Sequence, residues 1–387
     1  MKTKIFTLIF FAALLTLCSC SATFTENELF APVGEAVWDD AKNFSEGFAA
    51  VKKGDLWGFI NESGNVAIEP QFEAVWNFSE GFAAVQKDGL WGYINAQGEM
   101  VIDAKYSTTW GFSEGIAAVQ AADVFGLYGY INTNGDYVFE PQFTYAKNFK
   151  NGVALVQLKS ATSVGHKYSF AKADGTLLTD TEWFGAEEFS EGLAEVFMTY
   201  ESAFIDENGT VVIDYVLDDA KQFTEGVAAF EDDLIWGYIN ADGETLIEPK
   251  YDEAEPFSQG IAVVELDRAY GYINKNGDEI TEINYKYAYS AKEGRARVGK
   301  LEAIIAQFGY IDLEGKEVIT PKYFDAKDFS QGYAAVKTSS GGKWTLIDID
   351  GNPVTGADFD KIEAFKGGYT VYEINGKYGH LKIKTAE

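Results

Sequence analysis

Short apolar runs separated by turn signals recur along nearly the whole chain. In one stretch Phe82-Ala83-Ala84-Val85-Gln86 is followed by the turn Lys87-Asp88-Gly89 and then by Leu90-Trp91-Gly92-Tyr93-Ile94-Asn95. The turn Ala96-Gln97-Gly98-Glu99 and a third run, Met100-Val101-Ile102, complete the stretch. Runs this short, bounded by Gly and Asp, have the length and punctuation of strands. Gly98 supplies the positive φ that a hairpin turn needs. The equivalent Ile68-Glu69-Pro70-Gln71-Phe72 shows how the third strand ends, because proline cannot donate to a ladder. The pattern predicts a three-stranded meander followed by a loop.

That loop carries a phrase, an aromatic followed by Ser or Thr, a polar residue and Gly, as in Phe78-Ser79-Glu80-Gly81. Its glycines are Gly47, Gly81, Gly115, Gly152, Gly192, Gly226, Gly260, Gly294, Gly332 and Gly368, spaced by 34, 34, 37, 40, 34, 34, 34, 38 and 36 residues. The hairpin glycines Gly64, Gly98, Gly135, Gly175, Gly209, Gly243, Gly277, Gly315 and Gly351 each lie 17 residues before the next phrase glycine. A one-residue slip would turn a strand's buried face to water, so a constant interval marks a register held by burial. Length varies only between the phrase glycine and the aromatic or Leu five residues before each hairpin glycine, placing every insertion in one loop type. Nine residues before each phrase glycine stands another aromatic or Leu (Trp38, Phe72, Tyr106, Phe143, Trp183, Leu217, Tyr251, Tyr285, Tyr323, Phe359). This ladder reads as packed core between units rather than a row of ligand stackers. The fold class is therefore all-β, a tandem array of about ten repeats of ~34 residues spanning 37–387, in which each unit buries its apolar face against its neighbours. An open twisted superhelix is expected, because ten units make an unusually large ring. The alternative is a closed β-propeller-like ring, since the array begins with the tail of a unit near Trp38 and stops two strands into another at Tyr378 to Ile383.

Leu56-Trp57-Gly58-Phe59-Ile60-Asn61, Leu90-Trp91-Gly92-Tyr93-Ile94-Asn95 and Ile235-Trp236-Gly237-Tyr238-Ile239-Asn240 resemble the WG-containing repeat family, also called KWG repeats. Glu69-Pro70-Gln71-Phe72, Glu140-Pro141-Gln142-Phe143 and Glu248-Pro249-Lys250-Tyr251 extend the resemblance over nearly everything from Trp38 onward. Another aromatic replaces Trp at Tyr128, Tyr270, Phe308 and Tyr378, and the glycine is lost around Ser169 and Ala203. The resemblance implies architecture and supplies no catalytic residue. The Trp-Gly pair makes physical sense as an aromatic filling the layer between units beside a glycine that admits a neighbouring backbone.

The first 19 residues have a basic start (Lys2, Lys4) and an apolar run from Ile5 to Leu17, as a signal peptide does, and are too short to span a bilayer. Leu17-Cys18-Ser19-Cys20 resembles a lipobox, with Cys20 as the lipidated residue. Cleavage before Cys18 would put the large Leu17 at the preceding position, so Cys20 fits better than Cys18; the alternative is an ordinary secretory signal cleaved after a small residue such as Ala22. Residues 20–36 are then expected to be a tether, and the mature chain an exported lipoprotein of the cell envelope, in the outer membrane. The only two cysteines are Cys18 and Cys20, so stability must come from packing. Removing the signal leaves 29 basic against 60 acidic residues, which disfavours nucleic acid or an anionic membrane surface as partner. Hydrophobic residues at 47% are enough for a core, so the acidity does not signify disorder.

Chemistry is sparse. His166 and His380 are the only histidines, both expected on the surface, and neither a His-based acid/base pair nor a His-rich metal site is expected. Asp348-Ile349-Asp350-Gly351 lacks the further ligands of a calcium loop and reads as an ordinary turn. Glu46, Glu80, Glu114, Glu191 and Glu225 of the phrase give way to Asn151, Gln259 and Gln331 in other units, which points to solvation or turn capping. No signature selects a carboxylate pair for glycoside hydrolysis. No enzyme, cofactor or metal is expected. The expected function is a scaffold for protein–protein interaction through the variable loops, around Asp123, Val124, Ser160, Thr162, His166, Glu302 and Ser340. The alternative is a glycan or cell-wall binding module, because aromatic repeats of exported proteins also resemble choline-binding repeats.

Overall fold

The computed structural model describes residues 24–123, 125–159, 167–198, 201–302 and 304–384, and they are all-β, built of antiparallel pairs. Ten units follow one another, numbered here by their phrase glycines. Unit one shows the plan. A two-residue strand (Asp40–Ala41) precedes the phrase, and the strands Phe48–Lys53, Leu56–Asn61 and Val66–Phe72 follow in a meander. The three-stranded unit expected from the sequence thus gains a short fourth strand, paired as Asp40↔Lys52 and Ala41↔Val51. In units two to four the long strands Met100–Thr109 and Tyr137–Ala146 serve two units each, merging them into one nine-stranded sheet.

Burial explains the pattern. In the second strand Ala49, Ala50 and Val51 are all buried, as are their counterparts in most units, because both faces of the sheet are covered by neighbouring units. The return strand alternates, with Ile68 and Phe72 buried and Glu69 and Gln71 exposed. Between these two buried residues the pairing slips, from Phe59↔Ile68 to Trp57↔Phe72, so the return strand bulges opposite Gly58. A Cβ on Gly58 would lie 2.4 Å from the Ile68 carbonyl oxygen and 2.6 Å from the Pro70 nitrogen. Gly92, Gly237 and Gly309 meet the same obstruction. The glycine of the Trp-Gly pair is therefore required by its own unit's bulge, not by the neighbouring unit.

The ends of the chain meet. Phe30–Trp38 pairs antiparallel with Lys377–Ile383, so it is the fourth strand of unit ten. Among the described residues the buried side chains form ten clusters, one between each pair of consecutive units and one between units ten and one. The last contains Tyr369 of unit ten with Val33, Phe44, Ala49, Val51 and Ile60. An open row of ten units would have nine such layers. Of the two arrangements the sequence leaves, end pairing and the tenth layer select the ring. Of the segment 20–36 expected as a tether, Phe24 and the residues from Phe30 onward are packed into the ring. Phe24 is buried against unit nine and Phe30 is fully buried, because the last unit needs a fourth strand and the leader supplies it.

Candidate functional site

Neighbouring units are joined by a repeated set of contacts, and these set apart the residues free for other work. The phrase carboxylates cap the next unit's phrase. Glu46 accepts from the N–H groups of Glu80 and Gly81 at 2.7 and 2.9 Å, and Glu80, Glu114 and Glu191 do the same one unit on. The capped residues Glu80, Glu114, Asn151 and Glu225 have φ between 54° and 56°, left-handed turns whose N–H groups point at the acceptor. Gln259 and Gln331 cap through their amide oxygens, so their presence preserves the function. The turn-capping role expected of these residues is what they perform. Beside them Ser45, Ser79, Ser113, Ser190, Ser258 and Ser330 each donate to a carbonyl of the following unit.

The aromatic ladders belong to the same cement. Phe72, Tyr106, Phe143, Trp183, Tyr251 and Phe359 are all at most 3% exposed. The buried tyrosines of the third strand reach across a layer, Tyr93 donating to the Trp110 carbonyl, Tyr130 to that of Lys147, Tyr238 to that of Glu255 and Tyr310 to that of Lys327. A stacked glycan needs such faces in the open.

The most exposed apolar side chains lie at the hairpin between the second and third strands, the loop type that takes every insertion. Among the described residues five large apolar side chains are more than half exposed, and all five are here: Phe125 (71%), Leu234 (82%), Leu301 (53%), Ile304 (92%) and Ile305 (51%). Equivalent hairpins of successive units stand side by side, so these tips form one edge of the ring. Of the loop residues expected to bind, Asp123, Glu302 and Ser340 are exposed on this edge. Asp123 braces its loop by accepting from Phe125 and Gly126 N–H at 2.9 and 3.0 Å. Val124, Ser160, Thr162 and His166 lie outside the described residues, as does Cys20.

Two buried polar residues depart from the repeat. His380 is 1% exposed, correcting the expectation of a surface residue. Tyr378-Gly379-His380 is in phase with Trp91-Gly92-Tyr93, so the imidazole occupies the buried tyrosine's place. Its Nε2 is 2.9 Å from the Lys42 carbonyl and its ring is 5.0 Å from Phe44, reproducing across the closing seam the contacts of Tyr93 with Trp110 and Phe112. Burial holds its pKa down to about 4. Glu195, at 3% exposed, sits where units one to three have Ala50, Ala84 and Ala118. Burial, with Asp219 and Glu187 nearby, pushes its carboxyl up to about 8 against the Ser202 hydroxyl and the N–H of Ala220 at 3.0 Å. It borders a groove of about 370 Å³ with Phe197, Asp219, Lys221 and Glu255. The sequence reading passed over Glu195, and its signal was a charged residue inside the otherwise apolar Leu193-Ala194-Glu195-Val196.

The profile described as WG containing repeat matches residues 33–57, 57–91, 91–122, 128–160, 203–233, 236–268, 270–300, 308–344 and 344–378. The chain belongs to the WG-containing repeat family. The WG-repeat match omits 161–202, where the longest insertion lies and where Ser169 replaces the glycine. No curated protein matches the WG-repeat chain. Among solved structures, one described as the crystal structure of the eukaryotic initiation factor aligns with 85% of this chain and 91% of its own, at 10% identity and a TM-score of 0.49. Porphyromonas gingivalis dipeptidyl peptidase 4 aligns with 68% of this chain and 55% of its own, at 11% identity and a TM-score of 0.43.

Proposed function

We propose that this WG-repeat ring is a non-enzymatic lipoprotein of the cell envelope, held to the membrane through lipid on Cys20, that captures protein partners along its hairpin-tip edge. The observation that carries the reading is the confinement of the five most exposed large apolar side chains to that edge. Exposed apolar residues gathered on one edge and rimmed by polar groups are the form of a protein-binding surface. The aromatic ladder that a glycan-binding module would use is committed to the layers between units, which favours protein over glycan. His380 is enclosed in the layer between units ten and one, and Glu195 accepts from the backbone of the next unit, so both act within the ring.

Replacing Leu234 or Ile304 with Ser is expected to weaken capture of envelope proteins at least fivefold, because each removes exposed contact area at the edge, and shortening Ala161 to Lys167 is expected to weaken it as well. Melting behaviour of the Leu234 and Ile304 variants should be unchanged, as these side chains are exposed in the free protein. An unaltered set of captured proteins would remove the reading. The tether is tested in the same preparation, where Cys20→Ser is expected to move the protein from the membrane to the soluble fraction and to abolish fatty-acid labelling. A labelled, membrane-bound Cys20→Ser protein would refute lipidation at this residue.

A further inference from the structure

Charge is distributed unevenly around the ring. Between residues 180 and 267, which run from unit five to the hairpin of unit seven, there are 24 of the chain's 60 acidic residues and two of its 31 Lys and Arg, Lys221 and Lys250, with Arg268 following at the unit-seven tip. Lys221 is already occupied, bonded to Glu253 at 2.6 Å and Glu255 at 3.2 Å. Acidity alone would only keep this arc solvated. At its hairpin tips, however, it carries Leu234, 82% exposed, with Ile235 and Leu266 more than a third exposed. The carboxylates stand directly beside these apolar residues. The N–H of Asp233 donates to Asp218 at 2.9 Å, and the Asp267 N–H donates to Asp252 at 2.7 Å in the next unit. Glu231 is paired across the strands with Asp219 and is held above the ordinary carboxylate range by burial and by Asp219, Asp218 and Glu253. The last of these belongs to unit seven, so the repulsion runs from one unit to the next.

We infer that the tips of units six and seven dock a basic amphipathic segment of a partner protein, its apolar side chains on Leu234, Ile235 and Leu266 and its Lys or Arg residues on the flanking carboxylates. The inference deepens, and rests on, the reading of the hairpin-tip edge as a protein-binding surface. Apolar anchors select a surface that excludes water, and the surrounding like charges select cations, which relieve repulsion that the free protein carries. An acidic or neutral partner gains the first interaction and meets the second as a penalty.

The test uses the mature chain and two synthetic helical peptides of about 18 residues, one of Leu and Lys in amphipathic order and one with every Lys replaced by Glu. Fluorescence anisotropy is expected to show binding of the Lys peptide only, weakening by tenfold or more when salt rises from about 0.05 to about 0.3 M. Leu234→Ser should weaken it about fivefold and the double variant Asp232→Asn, Asp233→Asn about tenfold. Ile304→Ser and Phe125→Ser, on the same edge outside the acidic arc, should leave it unchanged. The inference is overturned by binding of the Glu peptide, or by equal losses in the Ile304 and Leu234 variants. If the Lys peptide does not bind while capture of envelope proteins still depends on the tips, the inference fails and the wider reading stands. If both fail, both are lost.

Discussion

Lowering the pH from 7 to about 4.5 is expected to loosen the ring first at the seam between units ten and one. At other seams a serine hydroxyl and a phrase carboxylate or amide commonly tie one unit to the next, but here the phrase residues are Lys366 and Gly367, which have neither group. What holds the seam is the layer around Tyr369 and His380, with Asn43 donating to the Ala364 carbonyl at 3.3 Å and Lys377 paired with Asp39. The imidazole is enclosed by Phe44 and the Lys42 carbonyl on unit one, Val33 on the leading strand and Val371 on its own sheet, and its Nδ1 has no partner. The charged pair nearest in sequence is Lys377 with Asp39. With a folded pKa of about 4 against an ordinary 6.5, the unfolded chain binds the extra proton between these values. Stability from this group is therefore complete above pH 6.5 and lost as the pH falls toward 4, by about 2–3 kcal/mol. His380→Phe, which restores the side chain found at Phe59, should remove that part of the acid sensitivity. Hydrogen exchange at pH 4.5 should show Phe30–Trp38 and Lys377–Ile383 opening before the other strands in the native protein and not in the variant. Equal exchange of these strands in both proteins would refute a role for His380 in closure.

How much of this was legible beforehand depends on whether a feature repeats. The strands, the 17-residue register and the buried ladder follow from periodicity, because a buried face imposes the same alternation ten times. The two-residue strands were not legible, since a segment such as Asp40–Ala41 is too short to show any alternation. Closure was half visible in the partial units at the two ends. Choosing the ring required knowing that Phe30 and Val33 face inward, which a single strand without a repeat partner cannot show. His380 was misread because histidine is usually surface-exposed, although its phase with Tyr93 and Tyr130 already assigned it to the core. The docking edge was legible as the site of insertions, but its apolar tips emerge only with exposure, since Leu234 and the buried Leu155 look alike in sequence.

Glu195→Gln is expected to stabilise the protein at pH 8 and to leave it unchanged at pH 4.5, a dependence opposite in sign to that of His380. The carboxyl is held near 8 by burial and by the charges of Asp219 and Glu187, against an ordinary value of 4.5. Between these values the folded chain binds the extra proton. Its favourable contribution is therefore complete below pH 4.5, declines as the pH rises, and is gone above 8. Ionising the group inside the layer between units five and six costs about 4 kcal/mol by the top of that range, which glutamine avoids while its amide oxygen still accepts from Ala220. Chemical denaturation of both proteins from pH 4.5 to 8 measures the effect directly. Profiles that run parallel across the range would show that Glu195 is already ionised in the fold, and the account of its burial would fail.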